Sequence, residues 1–401
     1  MKQKLIAVAV AGAFAAPAVA FAQASTVNIY GYVNAEYGFA QRVDTATAGV
    51  SKPSYDGLNS PGSYIGFKGE EKLSGGNSAW FQCETDIGFL KGDSAVTTNF
   101  LTTTTGGSTA GHVSTQGGWC SRNSALGLKG GFGNFYVGHW DSPTKRAVGA
   151  HRVVGETGWQ GVQGMLLSNG GGFTGTFSAR NSNSINYESP RFSGFSVLAQ
   201  TTSTAEQRNT VGAPNVGGRS NSFGLNYGAG PLTASLAYTQ LEHNRAASGV
   251  TNAQDTAFVL GASYRFGAAR IGFVYVDADA QPIIGQTLTR KSYNIAGTYG
   301  LGGPHSLKAG YTVAGDTDSS NGFKAGAVAG TTTGVGANSG AKEYQIGYFN
   351  ALSKRTNAGV IYMYAKNDSN STGYSVGNNA ITNQKMGEST SALVLTVNHT
   401  F

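Results

Sequence analysis

The side chains most often used for catalysis are scattered along this chain rather than gathered in motifs. The six histidines stand at positions 112, 139, 151, 243, 305 and 399, in predicted loops, turns and the last strand. A nucleophilic site needs a nucleophile, a base and an orienting group within hydrogen-bond reach. We expect no Gly-x-Ser-x-Gly elbow and no His-Glu-x-x-His helix, and runs such as Gly170-Gly171-Gly172 do not open a helix after a parallel strand. We therefore predict no enzyme and no cofactor.

The two cysteines, Cys83 and Cys120, are the next candidates for chemistry. Both fall in strand-like segments that flank one long loop. In an exported protein the default for two cysteines is a disulfide, which would tie neighbouring strands at the root of that loop. Two free thiols shielded by lipid are the alternative. A metal site is disfavoured because no histidine is close.

The first residues resemble a secretory signal peptide. Met1-Lys2-Gln3-Lys4 is basic, and the apolar run from Leu5 to Ala22 contains Pro17 and ends in small-x-small cleavage sites. A membrane anchor is the weaker alternative because the run is rich in alanine and broken by proline. We predict residues 1–24 as the signal peptide and residues 25–401 as one domain.

Charge and composition exclude several classes of protein. The formal charge of +7 falls to about +5 once Lys2 and Lys4 are removed, which is too mild to indicate nucleic acid. After the leader there is no apolar run of about 18 residues, so no membrane helix is expected. The 60 glycines, 19 tyrosines and 20 phenylalanines suit short twisted strands and polar turns rather than helices.

From Thr26 onward, segments of about ten residues alternate between apolar and small or polar side chains. About sixteen such segments follow one another, and every second connection is tight while the others are usually long. After a long loop the second strand is predicted to begin at Gly62; the fourth is predicted from Trp119 and the sixth from about Gly172. A soluble sandwich has no reason to sort its loops in this way. A barrel across a membrane does, because one rim carries short turns and the other long loops. A closed sheet of this width is too large for its side chains to fill, so it should enclose water.

The last twelve residues, Thr390 to Phe401, alternate most clearly. Leu393, Leu395 and Val397 share a face with the aromatic carboxyl terminus, as expected of a strand whose outer face meets lipid and whose last ring lies at the interface. The final edge strand of a soluble sandwich is the alternative.

Two arginines, Arg122 and Arg180, lie in predicted strands. They could be surface or turn residues. A long charged side chain facing lipid near the midplane would cost about 2–4 kcal/mol, which favours a position inside the barrel.

Several motifs resemble the trimeric general-diffusion porins of Gram-negative outer membranes, most closely those of β-proteobacterial type. No motif is decisive alone, but together they run in order along the chain after the leader. They are Asn28-Ile29-Tyr30-Gly31, Gly62 to Glu71, Ser121 to Gly130, Phe132-Gly133-Asn134, Arg180 to Pro190 and the terminal strand.

The resemblance implies an all-β fold: a 16-stranded antiparallel transmembrane β-barrel that forms a homotrimer. It also implies an inward-folded third loop, Asp141 to Gly171, with Glu156 at its acidic tip. On the facing wall the family carries a ladder of basic residues, which Arg122 and Arg180 match.

Two positions depart from that ladder, because Tyr32 and Tyr64 stand where classical enterobacterial members carry basic residues. Lys68, His139 and three loop residues, Lys145, Arg146 and Arg152, could restore positive charge. For the three loop residues an ordinary solvated charge is the favoured alternative. We expect a weaker transverse field than the family pattern implies and a weak preference for anions.

The function implied is passive diffusion of ions and small hydrophilic solutes through the outer membrane. The implied partners are further copies of the chain, outer-membrane lipid and the assembly machinery, which would use Phe401 as its signal. A substrate-specific porin and an adhesin or other binding barrel are the alternatives. The first needs a stacked aromatic path along the lumen, and the second does not account for the sorted loops.

Overall fold

The computed structural model describes the chain from Thr26 to the end, with gaps. The described residues are 26–44, 54–88, 90, 119–154, 159, 161–167, 177–202, 218–245, 250–281, 286–320, 335–371, 374–376 and 386–401. The signal peptide predicted for residues 1–24 lies outside them.

Seventeen strand segments dominate the described chain, and two helices follow the sixth. The helices are α1 (Pro143–His151) and α2 (Val162–Leu167). The strands are β1 (Thr26–Asp44), β2 (Ser54–Asn59), β3 (Tyr64–Lys72), β4 (Ser78–Asp86), β5 (Ser124–Gly130), β6 (Gly133–Asp141), β7 (Arg180–Glu188), β8 (Phe195–Thr202), β9 (Ser220–Ala229), β10 (Leu232–Arg245), β11 (Val250–Phe266), β12 (Ala269–Ala280), β13 (Leu288–Gly302), β14 (His305–Ser319), β15 (Ala341–Ala351), β16 (Thr356–Asn367) and β17 (Ser389–Thr400).

All of these segments pair antiparallel with their neighbours and form one closed barrel, because β1 also pairs with β17. Segments β2 and β3 both pair with β1. Residues 36–41 of β1 pair with β2, and residues 26–32 of β1 pair with β3. They are two halves of one barrel strand, interrupted at residues 60–63. The seventeen segments therefore make the predicted 16-stranded antiparallel barrel.

Several predicted strand bounds need correction. The second strand was expected to begin at Gly62, but its first half, β2, lies where a long loop was predicted. The strand predicted from Trp119 begins at Ser124, so Arg122 and Cys120 precede it. The strand predicted from Gly172 begins, in the described part, at Arg180.

The two faces of the barrel differ as the alternation predicts. Along β11 the side chains of Phe258, Leu260 and Tyr264 are exposed on the outer face, whereas Gly261 and Ser263 are buried inside. Four tyrosines form a continuous row across the outer face of β13 to β16, with neighbouring ring centroids 4.9–6.3 Å apart; they are Tyr293, Tyr311, Tyr344 and Tyr364. Aromatic rows of this kind are typical of the boundary between lipid and water.

The interior is not uniformly polar. Helices α1 and α2 pack with the inward-facing side chains of β10 to β13 in an apolar cluster that includes Val148, Leu166, Val259 and Val274. The burial of these side chains stabilises the contact by removing apolar area from water. No helix in the described ranges is long and apolar enough to cross a membrane.

The barrel closes where the chain ends. The backbone N–H of Gly31 donates to the Phe401 carbonyl, and that of Phe401 donates to the Gly31 carbonyl, each over 3.1 Å. The Phe401 ring lies directly over the Cα of Gly31, so a side chain at position 31 would collide with that ring and with the Tyr64 carbonyl. Glycine is therefore required at position 31 by close approach.

The substitution Gly31→Ala should destabilise this closure by about 1–3 kcal/mol, the usual range for overpacking a tight contact. The matched control is Gly300→Ala, because an added Cβ there meets nothing nearer than 3.7 Å. Urea unfolding of the refolded variants, followed by tryptophan fluorescence, measures the difference. Equal unfolding midpoints for the two variants would contradict the role assigned to Gly31.

Candidate functional site

A cluster of paired charges lines the inner face of the barrel from β3 to β7. At its centre Arg122, just before β5, donates to Asp86 on β4, with Nη1 2.7 Å from Oδ1. Its Nε lies 3.9 Å from Glu84, which also accepts a hydrogen bond from the hydroxyl of Tyr30 over 2.9 Å. Glu84 and Asp86 are two residues apart on one strand, so their side chains share the inner face. Arg122 is thus neutralised by acids of its own wall.

Arg180 at the start of β7 continues the cluster. Its Nε lies 3.0 Å from Asp141 Oδ1 and donates to the side-chain oxygen of Asn123 over 2.9 Å. The Asn123 amide also donates to Asp141, and Lys145 of α1 contacts Asp141 at 2.8 Å. Asn123, the residue that follows Arg122 in the chain, therefore joins Arg180 to the Asp141 carboxylate in one network.

A second ion pair joins α1 to the wall below this network. Arg146 Nη1 lies 2.6 Å from Glu188 on β7, and the Tyr136 hydroxyl donates to the same carboxylate over 2.8 Å. The ring of Tyr136 packs against Trp80 and Trp140, with centroids 5.4 and 5.0 Å away. This side of α1 is therefore held by the ion pair of Arg146 with Glu188 and by its hydrogen bond to the Tyr136 hydroxyl.

The two tyrosines that depart from the basic ladder lie side by side. Tyr32 and Tyr64 are direct cross-strand partners, with ring centroids 6.3 Å apart. The Arg122 guanidinium lies 4.9 Å from the Tyr64 ring centroid, and Lys68 lies 4.5 Å from that of Tyr30. A cation over an aromatic face is attracted by the ring quadrupole. Tyr64, Lys68 and Arg122 thus belong to one patch.

The remaining two predicted residues differ in their outcome. Glu156 is outside the described residues. His139 lies at the edge of the cluster: its imidazole interacts electrostatically with Arg180 and Asp141, and its Nδ1 lies 3.0 Å from Ser182 Oγ. A β-bulge between Gly138 and Trp140 shifts the register at this point, so alternation alone could not assign the side chain.

Sequence reasoning missed the acids that pair with the arginines. Asp86, Asp141 and Glu188 are isolated carboxylates in the sequence, and only the strand register brings them to Arg122, Arg180 and Arg146. Part of the signal was present, because Glu84 and Asp86 fall on the same side of an alternating strand.

The structure joins Cys83 and Cys120 by a disulfide. Cys83 is paired with Phe67, whose position alternates with that of the inward-facing Lys68, so the bond lies on the outer side of the wall. Cys120 is in a turn, with a φ of 62°, rather than in a strand. The bond ties β4 to the segment that leads into β5 and so fixes the approach of Arg122.

Helix α1 is anchored on the opposite side of the barrel. His151 at its end lies between two inward-facing hydroxyls, with Nε2 2.9 Å from Ser235 Oγ and Nδ1 3.3 Å from Ser263 Oγ. Arg270 donates to the Ala150 carbonyl over 2.7 Å, which satisfies a backbone acceptor at the helix C-terminus. Burial of the imidazole, and then the charge of Arg270, lower the pKa of His151 from 6.5 to about 4.

The chain beyond α1 contacts two further sectors of the inner wall. Trp159 is almost completely buried against the inner faces of β1, β16 and β17, and a side chain at Gly38 would collide with its ring. Arg290 on β13 donates to the Met165 carbonyl of α2 over 3.4 Å and to the Tyr374 hydroxyl over 2.7 Å. The connection between β6 and β7 therefore touches widely separated strands.

One Gly-x-Ser-x-Gly pattern, typical of hydrolase elbows, runs from 373 to 377 and was overlooked in the sequence. Its Ser375 lies between β16 and β17, not at a turn from a strand into a helix. Tyr374 and Val376 beside it are buried. Among the described hydrogen bonds, none joins Ser375 to a histidine. The pattern lacks the context that an acyl-transfer site needs.

Comparison with known proteins agrees with this architecture. A family model for Gram-negative porins matches residues 7–370, most of the chain. The chain belongs to the Gram-negative porin family. Its relatives include outer membrane porin protein 32 of Delftia acidovorans, 27% identical over 405 residues that cover all of both chains. An outer membrane porin protein of Bordetella pertussis is 27% identical over 422 residues, covering 94% of this porin and 99% of the relative.

Solved structures show the same fold. The anion-selective porin from Comamonas acidovorans aligns with a TM-score of 0.69 at 24% identity, over 94% of this porin and all of that chain. OmpT of Vibrio cholerae aligns with a TM-score of 0.63 at 15% identity, over 96% of this porin and all of OmpT. The porin forms a channel for solute diffusion in a Gram-negative outer membrane. Porins are channels rather than enzymes.

The contact of His151 should weaken in acid. Its pKa is lower in the folded porin than in the unfolded chain, so the neutral form stabilises the contact fully above about pH 6.5, and that contribution is lost as the pH falls towards 4. We expect the current noise of single channels to rise over this interval. His151→Gln keeps a hydrogen-bonding side chain that does not titrate, and it should show a smaller rise. Parallel curves for the two proteins would contradict the assignment.

Proposed function

We propose that this porin is a general-diffusion channel for ions and small hydrophilic solutes, with a weak preference for anions. The observation that carries the proposal is the charged patch on the inner face of β3 to β7. Arg122, Arg180 and Lys68 offer positive charge there, while Asp86 and Asp141 offset part of it. Fixed charges in a wet constriction select solutes by sign and by their ability to keep their hydration.

We also propose that the connection between β6 and β7 folds into the lumen and narrows it. Support comes from the contacts of α1, Trp159 and α2, which involve inward-facing positions such as Ser263, Gly38 and Arg290. The exposed apolar side chains of the same strands alternate with these positions. Under this proposal solutes pass between the charged patch and α1, and Glu156 contributes to the edge of the constriction.

The proposed anion preference has two supports. Lys68 contacts an aromatic ring rather than an acid, so its charge is less offset than that of Arg122. The Comamonas acidovorans porin, which has the same fold over nearly the whole length of this chain, is described as anion-selective.

Further parts of the proposal rest on resemblance. We propose a homotrimer assembled with outer-membrane lipid and the assembly machinery, after export by a signal peptide at residues 1–24. One of the aligned Vibrio cholerae structures is described as a trimer form. Phe401 remains the proposed assembly signal.

A substrate-specific porin is the second candidate. The rings of Tyr30, Tyr32 and Tyr64 lie next to two cations, and the rings of Trp80 and Tyr136 lie on the same inner wall. Aromatic faces beside cations could slow an aromatic anion. Saturation of the current by such a solute, but not by chloride, would favour this candidate.

Ion selectivity tests the charged patch with two opposite variants. Arg122→Gln should shift the reversal potential under a KCl gradient towards cations, because Asp86 and Glu84 are then left uncompensated. Asp86→Asn should shift it towards anions. The matched control Lys366→Gln removes an exposed lysine from the outer face and should leave the potential unchanged. If both patch variants keep the wild-type potential, the patch does not line the narrow part of the pore.

Conductance tests the inward fold of the β6–β7 connection. Trp159→Ala removes a fully buried ring, which costs about 3–5 kcal/mol in a packed site, so the connection should detach from β1, β16 and β17. We expect higher and noisier single-channel conductance. Trp119→Ala is the control, since that ring is 77% exposed. Unchanged conductance in Trp159→Ala would exclude this segment from the constriction.

A further inference from the structure

A second set of cations lies across the barrel from the charged patch. Arg265 and Arg270 are direct cross-strand partners on β11 and β12. Arg270 pairs with Thr298 on β13, and Thr298 pairs with Lys308 on β14. The three cations therefore occupy one row across four adjacent strands, near the end of the barrel that carries the short turns. We call these residues the cation row.

The cation row faces the interior. Arg265 follows the inward-facing Ser263 by two residues, and Arg270 precedes the inward-facing Gly272 by two. Lys308 alternates with the exposed Leu307, and its ammonium lies 4.1 Å from the ring centroid of Phe349. Side chains two apart on a strand share a face, so all three residues point inward.

The cation row differs from the charged patch in how far nearby carboxylates compensate its positive charges. In the patch, Arg122 and Arg180 each contact a carboxylate, as does Arg146 of α1. Within the described ranges, neither Arg265, Arg270 nor Lys308 has an ion pair. The contacts that Arg270 makes are with neutral oxygens, the Ala150 carbonyl and the Ser263 hydroxyl.

The nearest inward-facing acids of these strands are distant. Glu343 on β15 is paired with Thr312, four residues from Lys308, which is about 13 Å along a strand. Asp255 on β11 is ten residues from Arg265, which is about 33 Å. Both distances exceed the screening length of about 8 Å at physiological salt.

Like charges placed directly opposite each other on a sheet are destabilising. The pair Arg265 and Arg270 is such an arrangement, and an oxyanion between the two guanidinium groups would relieve it by accepting charge-assisted hydrogen bonds from both. Guanidinium forks fit carboxylate and phosphate oxygens, and Lys308 adds a point charge on the same row.

We propose that the cation row is a binding station for small oxyanions, carboxylates or phosphates, at the short-turn mouth of the pore. It rests on the proposed diffusion channel and names its favoured solutes. An anion that leaves the constriction meets uncompensated positive charge on the opposite wall, so its local concentration is raised there. The row then adds to the anion preference that the charged patch provides at the opposite wall.

Bilayer recordings with inorganic phosphate as the probe test the proposal. The test variant is Arg265→Gln/Lys308→Gln, which leaves Arg270 and its contact with α1 intact. The control, Lys291→Gln/Lys366→Gln, removes the same charge from the outer face. We expect the chloride-to-potassium permeability ratio to fall about twofold or more in the test variant and to stay unchanged in the control.

The block of the chloride current by added phosphate provides an independent test of the proposal. In the wild type, added phosphate should reduce the chloride current more from the short-turn side than from the other side. The test variant should lose this asymmetry, and Arg265→Lys/Lys308→Arg, which keeps both charges, should retain it. Retention by the charge-keeping variant also shows that losses in the glutamine variant do not come from misfolding.

The outcomes separate the two proposals. A conducting test variant with wild-type permeability ratio and phosphate block would overturn the cation row as a binding station and leave the channel intact. A wild-type protein that inserts but does not conduct would overturn the channel itself. Phosphate block that is equal from both sides would place the anion site elsewhere in the pore.

Discussion

The closed ring of backbone hydrogen bonds is the constraint on which the rest of this structure depends. In hydrocarbon an unpaired strand edge leaves donors and acceptors that nothing can satisfy, at several kcal/mol each. Here β1 meets β17 along most of its length, and the reciprocal bonds between Gly31 and Phe401 complete the ring at the short-turn end. Because the ring is closed, each strand has only two directions for its side chains: outward or into the lumen.

This division into outward and inward side chains explains why the residue types on the inner wall differ from one group of strands to another. On β10 to β13 the inward positions near α1 and α2 are alanine and valine, because helices cover them. On β3 to β7 the inward positions instead carry paired charges and tyrosines. Strand β12 is apolar on both faces: Val274 and Val276 point inward, and Phe273 and Tyr275 point outward. A strand of this kind needs a cover on its inner face as well as lipid on its outer face.

The sequence predicted those features that repeat along the chain. Alternation and loop sorting were enough for the antiparallel barrel and its strand count, since each strand carries its own copy of the signal. Long-range pairing was not predictable from such signals. Asp86 and Arg122 are 36 residues apart, and Arg146 and Glu188 are 42 apart. One residue of register shift would place each acid on the opposite face.

Local departures from the alternating pattern could not be predicted from the sequence either. The interruption between β2 and β3 and the bulge at Gly138 each change the alternation within one strand. The helices α1 and α2 are short, and their stability comes from packing against the wall rather than from propensity. The residues that hold them, His151 with Ser235 and Arg270 with Ala150, looked like ordinary loop and strand residues until the fold brought them together.

Charge placement in the lumen follows from the same geometry. An arginine 2.7 Å from a carboxylate of its own wall acts at a distance as a dipole, whose field falls off faster than that of a single charge. The Arg122–Asp86 and Arg180–Asp141 pairs should therefore act mainly on solutes that touch them. An uncompensated cation acts over about a screening length of 8 Å, comparable with the dimensions of a constricted pore. Within the proposed pore, the charged patch then acts as a short-range filter on one wall, and the cation row supplies a longer-range attraction for anions on the other.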